Sequence, residues 1–523
     1  DIDLGGTVGW FTAAFPWQVS LPMELNRRGR VRTIKEALRK VPDEGDNYRW
    51  LLAAGRLPKA EADISFNFLG QWDETDRKFS DWQLDLEQSG SVIDPAHPLT
   101  HALAVSGFVS GGRLVWRARF DRERYPEAEI RRLMDAYGQE LEELAVELRA
   151  AEQTELTPAD FTVSGLDLAD WDRLLGKREW AARSIRDVRP VTPMQEGLLF
   201  EALLNKGSDA YFQQMRFSLA GVGSDEALEA AWQDVIDAHE ICRTVFVSGP
   251  QARMLQVVRD DLRVLVEWPR GSERVAAATI TEYAEQDRTN GFDLERGPLM
   301  RTALFKTGEG EVCVVWSHHH LLMDGWCVGL WMQRFLAAYQ GRAGGKKLAE
   351  IRDPSPVPYY DWLATRDTAA ARLYWQEAFA DHTTLTSVLP EFPGAHRESP
   401  YQLDHYRKRL PAELHSGIAK LARDNRVTVA SVLSTAASVM LGRYTNQRDV
   451  VVGAVVSGRP AEVAGIDEMM GLFINTIPVR LRWDDATTWS DVLRAHEATS
   501  REAEPHHHYP LARIQEDHAS MKS

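Results

Sequence analysis

Ser317-His318-His319-His320-Leu321-Leu322-Met323-Asp324-Gly325-Trp326 separates two segments of different periodicity. Before it runs Val312-Cys313-Val314-Val315-Trp316, an unbroken apolar, β-branched stretch that predicts a buried strand. After it Val328, Leu330, Trp331, Phe335, Leu336 and Tyr339 recur at helical spacing, predicting a helix over 326–339. Imidazoles therefore cluster where a strand ends and a helix begins, an edge that holds reactive groups on rigid supports. An imidazole there can take, give or attract a proton near neutral pH.

Consecutive histidines at a strand end can also be merely solvated or satisfied in a core. Here the strand is strongly apolar, so its end lies near the interior, and Asp324-Gly325 permits a tight turn. Buried, Asp324 would need a cation from elsewhere in the chain. Three histidines and Asp324 supply four potential metal donors, but neighbouring strand residues point to opposite faces and HExxH spacing is absent. No metal centre is expected.

The chain has 523 residues, more than one core accommodates. A net charge of −16 disfavours nonspecific nucleic-acid binding. Cys242, Cys313 and Cys327 lie far apart with no CxxC, against a disulfide framework and in keeping with a reducing, cytoplasmic setting. With no apolar run of membrane-spanning length, no membrane span is expected. The start at Asp1 has neither initiator Met nor signal-peptide character and reads as that of a fragment.

Strands are predicted at 64–70, with one wet face, and at 114–120; a long amphipathic helix is predicted over 126–151. From Glu152 to Arg189 the pattern is broken by Pro158, Gly165, Gly176 and many charges, as in a linker carrying one short helix near 166–175. Helices and strands alternate from Thr192 to about Ala380, break at Leu389-Pro390-Glu391-Phe392-Pro393-Gly394, and resume from Tyr401 with a helix over 429–444 and a strand over 449–456. His506-His507-His508, between prolines, reads as a solvated loop. Thr7–Pro16 echoes Met470–Pro478: each has Gly, then Phe, then Pro, as related lobes would.

His319-His320-x-x-x-Asp324-Gly325 resembles the signature of condensation domains of nonribosomal peptide synthetases, relatives of chloramphenicol acetyltransferase. Thr192–Phe200, His239–Phe246, Tyr360-Asp361-Trp362, Gly453–Pro460 and Gly471–Arg480 follow in that family's order, so the resemblance covers about 185–520. Thr7–Thr12 and Phe66–Asp73 resemble late motifs of epimerization domains in the same superfamily, although Pro42–Arg49 departs from the glycine-ended form and no histidine motif belongs to this segment.

The resemblance implies an α/β (α+β) fold: two chloramphenicol-acetyltransferase-like lobes in a V-shaped domain, preceded by a partial related lobe. Its domains would be 1–150, the C-terminal part of an epimerization-like domain; 151–184, a linker; 185–380, the N-terminal lobe; and 381–523, a C-terminal lobe incomplete at its end. The activity implied is peptide-bond formation between a carrier-bound donor thioester, D-configured by the form of the motif, and the α-amine of a carrier-bound acceptor. No cofactor is bound directly; substrates ride on 4'-phosphopantetheine. Partners are upstream and downstream carrier proteins and an adjacent adenylation domain. In this reading His320 is the central residue, either general base or a group that positions the amine; both roles stay open. His319 packs beneath the turn, and Asp324 pairs with Arg459. Gly325 lets substrate approach and offers its N–H to the oxyanion, while Ser457, Asn475 and Trp326 line the substrate path. Two alternatives are a stand-alone CoA- or thioester-dependent acyltransferase and a noncatalytic scaffold domain, the latter disfavoured by the intact His320.

Overall fold

The computed structural model describes residues 7–9, 12–72, 100–150, 156–178, 180, 182–204, 211–271, 273–344, 351–383 and 406–518. The expected break at 389–394, the residues 401–405, and Trp10, Phe11 and Asp73 of the quoted motifs lie outside them. Two compact units are present. The first comprises Asp1–Asp160, Asp167–Leu175 and Ala181–Arg183; the second comprises Phe161–Leu166, Gly176–Trp180 and Ser184–Ser523.

The first unit contains helices α1 (Arg27–Arg39) and α2 (Tyr48–Ala53), strands β1 (Ile64–Trp72), β2 (Leu103–Ser110) and β3 (Arg113–Phe120), and helices α3 (Glu127–Ala150) and α4 (Leu168–Gly176). β1 pairs parallel with β2, which pairs antiparallel with β3. Asn26 caps α1 by accepting the Gly29 N–H at 2.8 Å, and Arg27 of α1 binds Glu140 of α3 at 3.0 Å. One expectation fails in β1. Its apolar set, Ile64, Phe66 and Phe68, is open at 58%, 62% and 50%, and on the other face Asn67 and Leu69 are exposed as well. Alternation fixes which residues share a face, not which face is covered.

The second unit opens with β4 (Ile185–Pro190), α5 (Pro193–Leu204), β5 (Phe212–Ala220) and α6 (Asp225–Ala238). β6 (Thr244–Ser248), β7 (Met254–Arg259), β8 (Val266–Glu267), α7 (Ala277–Asn290), β9 (Met300–Gly308), β10 (Glu311–His319) and α8 (Gly325–Ala343) follow. Then come α9 (Val357–Ala364), α10 (Thr368–Ala378), α11 (Ala412–Asn425), α12 (Val429–Thr445), β11 (Asp449–Val456), β12 (Asn475–Arg482), α13 (Trp489–Ala503) and α14 (Leu511–Asp517). The sheets run β5-β10-β9-β8, β4-β7-β6 and β11-β12.

β10 is an inner strand, antiparallel to both β5 and β9, which is why its run from Val312 to His319 is buried throughout. Its side chains pack with Trp232 of α6 and with Trp331 and Phe335 of α8, all three at most 1% exposed. The Trp232 and Trp316 rings meet edge to face at 5.5 Å. This rigid block carries the histidine turn. Among the described residues no single helix is long and apolar enough to cross a membrane.

The His506–His508 stretch is not the solvated loop expected. All three are half-buried, and His506 stacks on Tyr374 of α10 at 4.3 Å. Burial pushes the His507 imidazole down to about 4, helped by its two neighbouring histidines. Aromatic rings contributed by α10 make an apolar seat that the local sequence does not announce.

Candidate active site

β10 delivers the three histidines to three surroundings. His318 lies on the Trp316 side of the strand, ring centres 5.4 Å apart. His319, on the other side, lies 6.5 Å from both Tyr211 and Phe292. Its Nδ1 accepts the Leu321 N–H at 3.1 Å, and its main chain is fixed by Leu299 O at 2.9 Å. Burial is the main force lowering both imidazoles to about 4, so both are neutral at physiological pH. With Nδ1 accepting, neutral His319 carries its proton on Nε2. His320 is half-buried; its main-chain N–H donates to Tyr211 O at 2.8 Å, and its Nδ1 is buried without a hydrogen-bond partner among the described residues.

Asp324, 2% exposed, is the N-cap of α8. Its carboxylate is engaged on both oxygens. Oδ1 lies 3.4 Å from Arg459 Nη2, and Oδ2 accepts the Phe473 N–H at 3.1 Å. Its own N–H donates to Gly471 O at 3.2 Å. The Arg459 side chain, 3% exposed, also donates to Ile466 O and Met469 O and lies 4.5 Å over the Phe473 ring. Segment 459–473 is thereby fastened to the first turn of α8. Trp326 adds an indole N–H to Asp467 O at 3.0 Å while remaining 54% exposed.

The other sequence candidates fall as follows. Gly325 is exposed, and a Cβ there would meet no heavy atom within 4 Å. Ser457, exposed just past β11, has its hydroxyl 3.5 Å from the Arg459 N–H it accepts. Asn475 is buried at the start of β12 and donates both amide hydrogens, to His507 O at 2.7 Å and Tyr509 O at 2.9 Å. The structure thus joins Asp324, Arg459 and Trp326 into one contact set beside the histidine turn, and commits Asn475 to the chain before α14.

Two participants were not singled out from the sequence. Gln195 forms a capping box with Thr192: Oε1 accepts the Thr192 N–H at 2.8 Å and the Gln195 N–H reaches Thr192 Oγ1 at 3.4 Å. Its Nε2 donates to Leu321 O at 2.9 Å, one residue past His320, and to Gln256 Oε1 at 3.2 Å. The Thr-x-x-Gln spacing was a readable signal. Cys327, one helical turn after Asp324, lies 3.2 Å from Gly471 O and 3.4 Å from Asp324 Oδ1; only its spacing hinted at this.

A family model described as Condensation domain matches residues 2–166 and 185–523. The chain belongs to the condensation-domain family. The first match means that the N-terminal segment is kin to the rest. A mycosubtilin synthase polypeptide of Bacillus subtilis is 33% identical over 534 residues, covering 98% of this chain and 20% of that protein. Bacitracin synthase 3 of Bacillus licheniformis is 31% identical over 522 residues, covering 98% and 8%. The chain thus spans a fifth or less of the length of these two curated relatives. The solved first condensation domain of the calcium-dependent antibiotic synthetase, in complex with a substrate analogue, aligns with a TM-score of 0.51 at 19% identity, covering 63% of this chain and 78% of that one. That likeness is one of fold, and it agrees with the mixed α/β class expected from the sequence.

Proposed function

We propose that the second unit forms a peptide bond in nonribosomal peptide synthesis, with His320 at the reacting centre. The observation that carries this reading is the half-buried His320, its Nδ1 unpartnered among the described residues, on a turn braced by the buried Asp324–Arg459 pair. The acceptor's α-amine attacks the donor thioester carbonyl, giving a tetrahedral oxyanion. The C–S bond then breaks, the amide forms, and the departing phosphopantetheine thiolate takes up the proton the amine has lost. Both substrates arrive on carrier proteins, within a synthetase that also has an adenylation domain in the cytoplasm.

Holding the amine at the carbonyl removes much of the entropic barrier to such a reaction. Among the described residues no carboxylate backs the His320 ring, because Asp324 is spent on Arg459 and Phe473 N–H. A backing carboxylate is what stabilises imidazolium in a histidine general base. Its lack among the described residues supports His320 as a group that orients the amine. Gly325, open and at the N-terminus of α8, offers a main-chain N–H to the oxyanion. The Leu321-Leu322-Met323 form of the motif, with an N-terminal segment resembling part of an epimerization domain, supports a D-configured donor.

The test loads two carrier proteins with aminoacyl groups and follows dipeptidyl thioester by mass spectrometry. The chain is expected to make product that His320→Ala does not. Equal product from His320→Ala would overturn the assignment, and product from soluble thioesters alone would point to a stand-alone acyltransferase.

A further inference from the structure

Cys327 is 0% exposed, yet four polar atoms crowd its sulfur. Sγ lies 3.2 Å from Gly471 O, 3.4 Å from Gly471 N, 3.4 Å from Asp324 Oδ1 and 3.5 Å from Arg459 Nη2. A thiol buried merely as a small apolar group does not collect such neighbours. The sulfur touches each part that braces the histidine turn: the motif aspartate, its arginine and the 471–473 segment. It meets Gly471 twice, at the carbonyl and at the N–H, so it registers the segment rather than only filling space beneath it.

We propose that Cys327 is a positioning residue for the reaction at His320: its thiol donates to Gly471 O or Asp324 Oδ1 and accepts the Gly471 N–H, clasping segment 469–473 onto the motif turn. This rests on the peptide-bond-forming reading for its activity consequence, but the clasp itself is a property of the fold. Burial, reinforced by the Asp324 charge, pushes the thiol up to about 12, so it keeps the proton that a donor needs. Asp324 takes the Phe473 N–H on Oδ2 and offers Oδ1 to Arg459 and the thiol, so loss of the thiol loosens Asp324 and the 471–473 main chain together. Those groups set where the turn from His320 to Gly325 sits. A displacement near 1 Å at such a turn typically costs on the order of 100-fold in rate.

The test compares Cys327→Ser, which keeps a donor and acceptor, with Cys327→Val, which keeps the bulk and loses both. Two readouts are taken on the full chain: dipeptidyl-thioester turnover at saturating carriers, and hydrogen exchange of the main-chain amides from 469 to 474. Cys327→Val is expected to lose about ten-fold or more in kcat with little change in KM, and to speed exchange at Gly471 and Phe473. Cys327→Ser is expected to stay within about three-fold of the parent on both. Parental exchange and turnover in Cys327→Val would overturn the proposal, and so would a serine variant as impaired as the valine one. If the parent makes no dipeptidyl thioester, the functional reading fails, while the exchange rates still decide the clasp.

Discussion

Asp324 and His320 stand four residues apart and make opposite demands. The Asp324 carboxylate is buried against a buried guanidinium, so Asp324→Ala strands the Arg459 charge and the Phe473 N–H. A loss of about 3–5 kcal/mol in urea unfolding is expected. His320→Ala removes a half-buried ring whose Nδ1 has no partner among the described residues; stability is expected to hold within about 0.5 kcal/mol while turnover disappears. Two glycines give a second contrast. At Gly458 φ is +58°, and a Cβ would fall 1.7 Å from Phe473 O, so Gly458→Ala is expected to unfold the chain at a lower urea concentration and to cut activity with it. A Cβ on Gly325 meets nothing, so Gly325→Ala is expected to keep the parental unfolding midpoint and to lower turnover alone, by crowding the approaching substrate. The motif let the eye find Asp324 and His320. It did not reveal that Cys327 joins their brace or that His320 Nδ1 has no partner among the described residues, because those facts depend on residues that only the fold brings together.

At the scale of elements, sequence periodicity was a good guide to extent and a poor one to environment. The helix predicted over 326–339 is found over Gly325–Ala343, the strand predicted over 449–456 is found as Asp449–Val456, and the helix predicted over 126–151 is found as Glu127–Ala150. Repeat length is a local property that each segment states for itself. What covers a face is not local. Hence β1 shows its phenylalanines to the outside, and the histidines at 506–508 lie half-buried beside rings of α10. The clearest element-scale prediction concerns α8. Trp331, fully buried, spans the interval between its helix and Trp232 and Trp316. Trp331→Ala is expected to cost about 3–5 kcal/mol in thermal or urea unfolding. The platform under the histidine turn would weaken with it.

For the molecule as a whole, acid is the sensitive direction. His318, His319 and His507 are each lowered to about 4 from an ordinary 6.5, with burial as the main cause. Between those values the unfolded chain binds protons that the folded chain refuses, so stability rises with pH across the window and is lost as pH falls from about 6.5 towards 4. The thermal midpoint is expected to drop steadily from pH 7 to pH 5, a range above most carboxylate titration; an unchanged midpoint there would contradict the burial of these rings. The distance along the chain between Asp324 and its partners has a consequence of another kind. Arg459 lies 135 residues downstream and Phe473 lies 149. A ribosome adding about 5–20 residues per second needs roughly 7–27 s to cross the first of those intervals. Through that time the newly made histidine turn carries an acidic side chain whose counter-charge has not yet been synthesised. The signature is therefore translated well before the residues that brace it, and its architecture is completed only when Arg459 and Phe473 have followed.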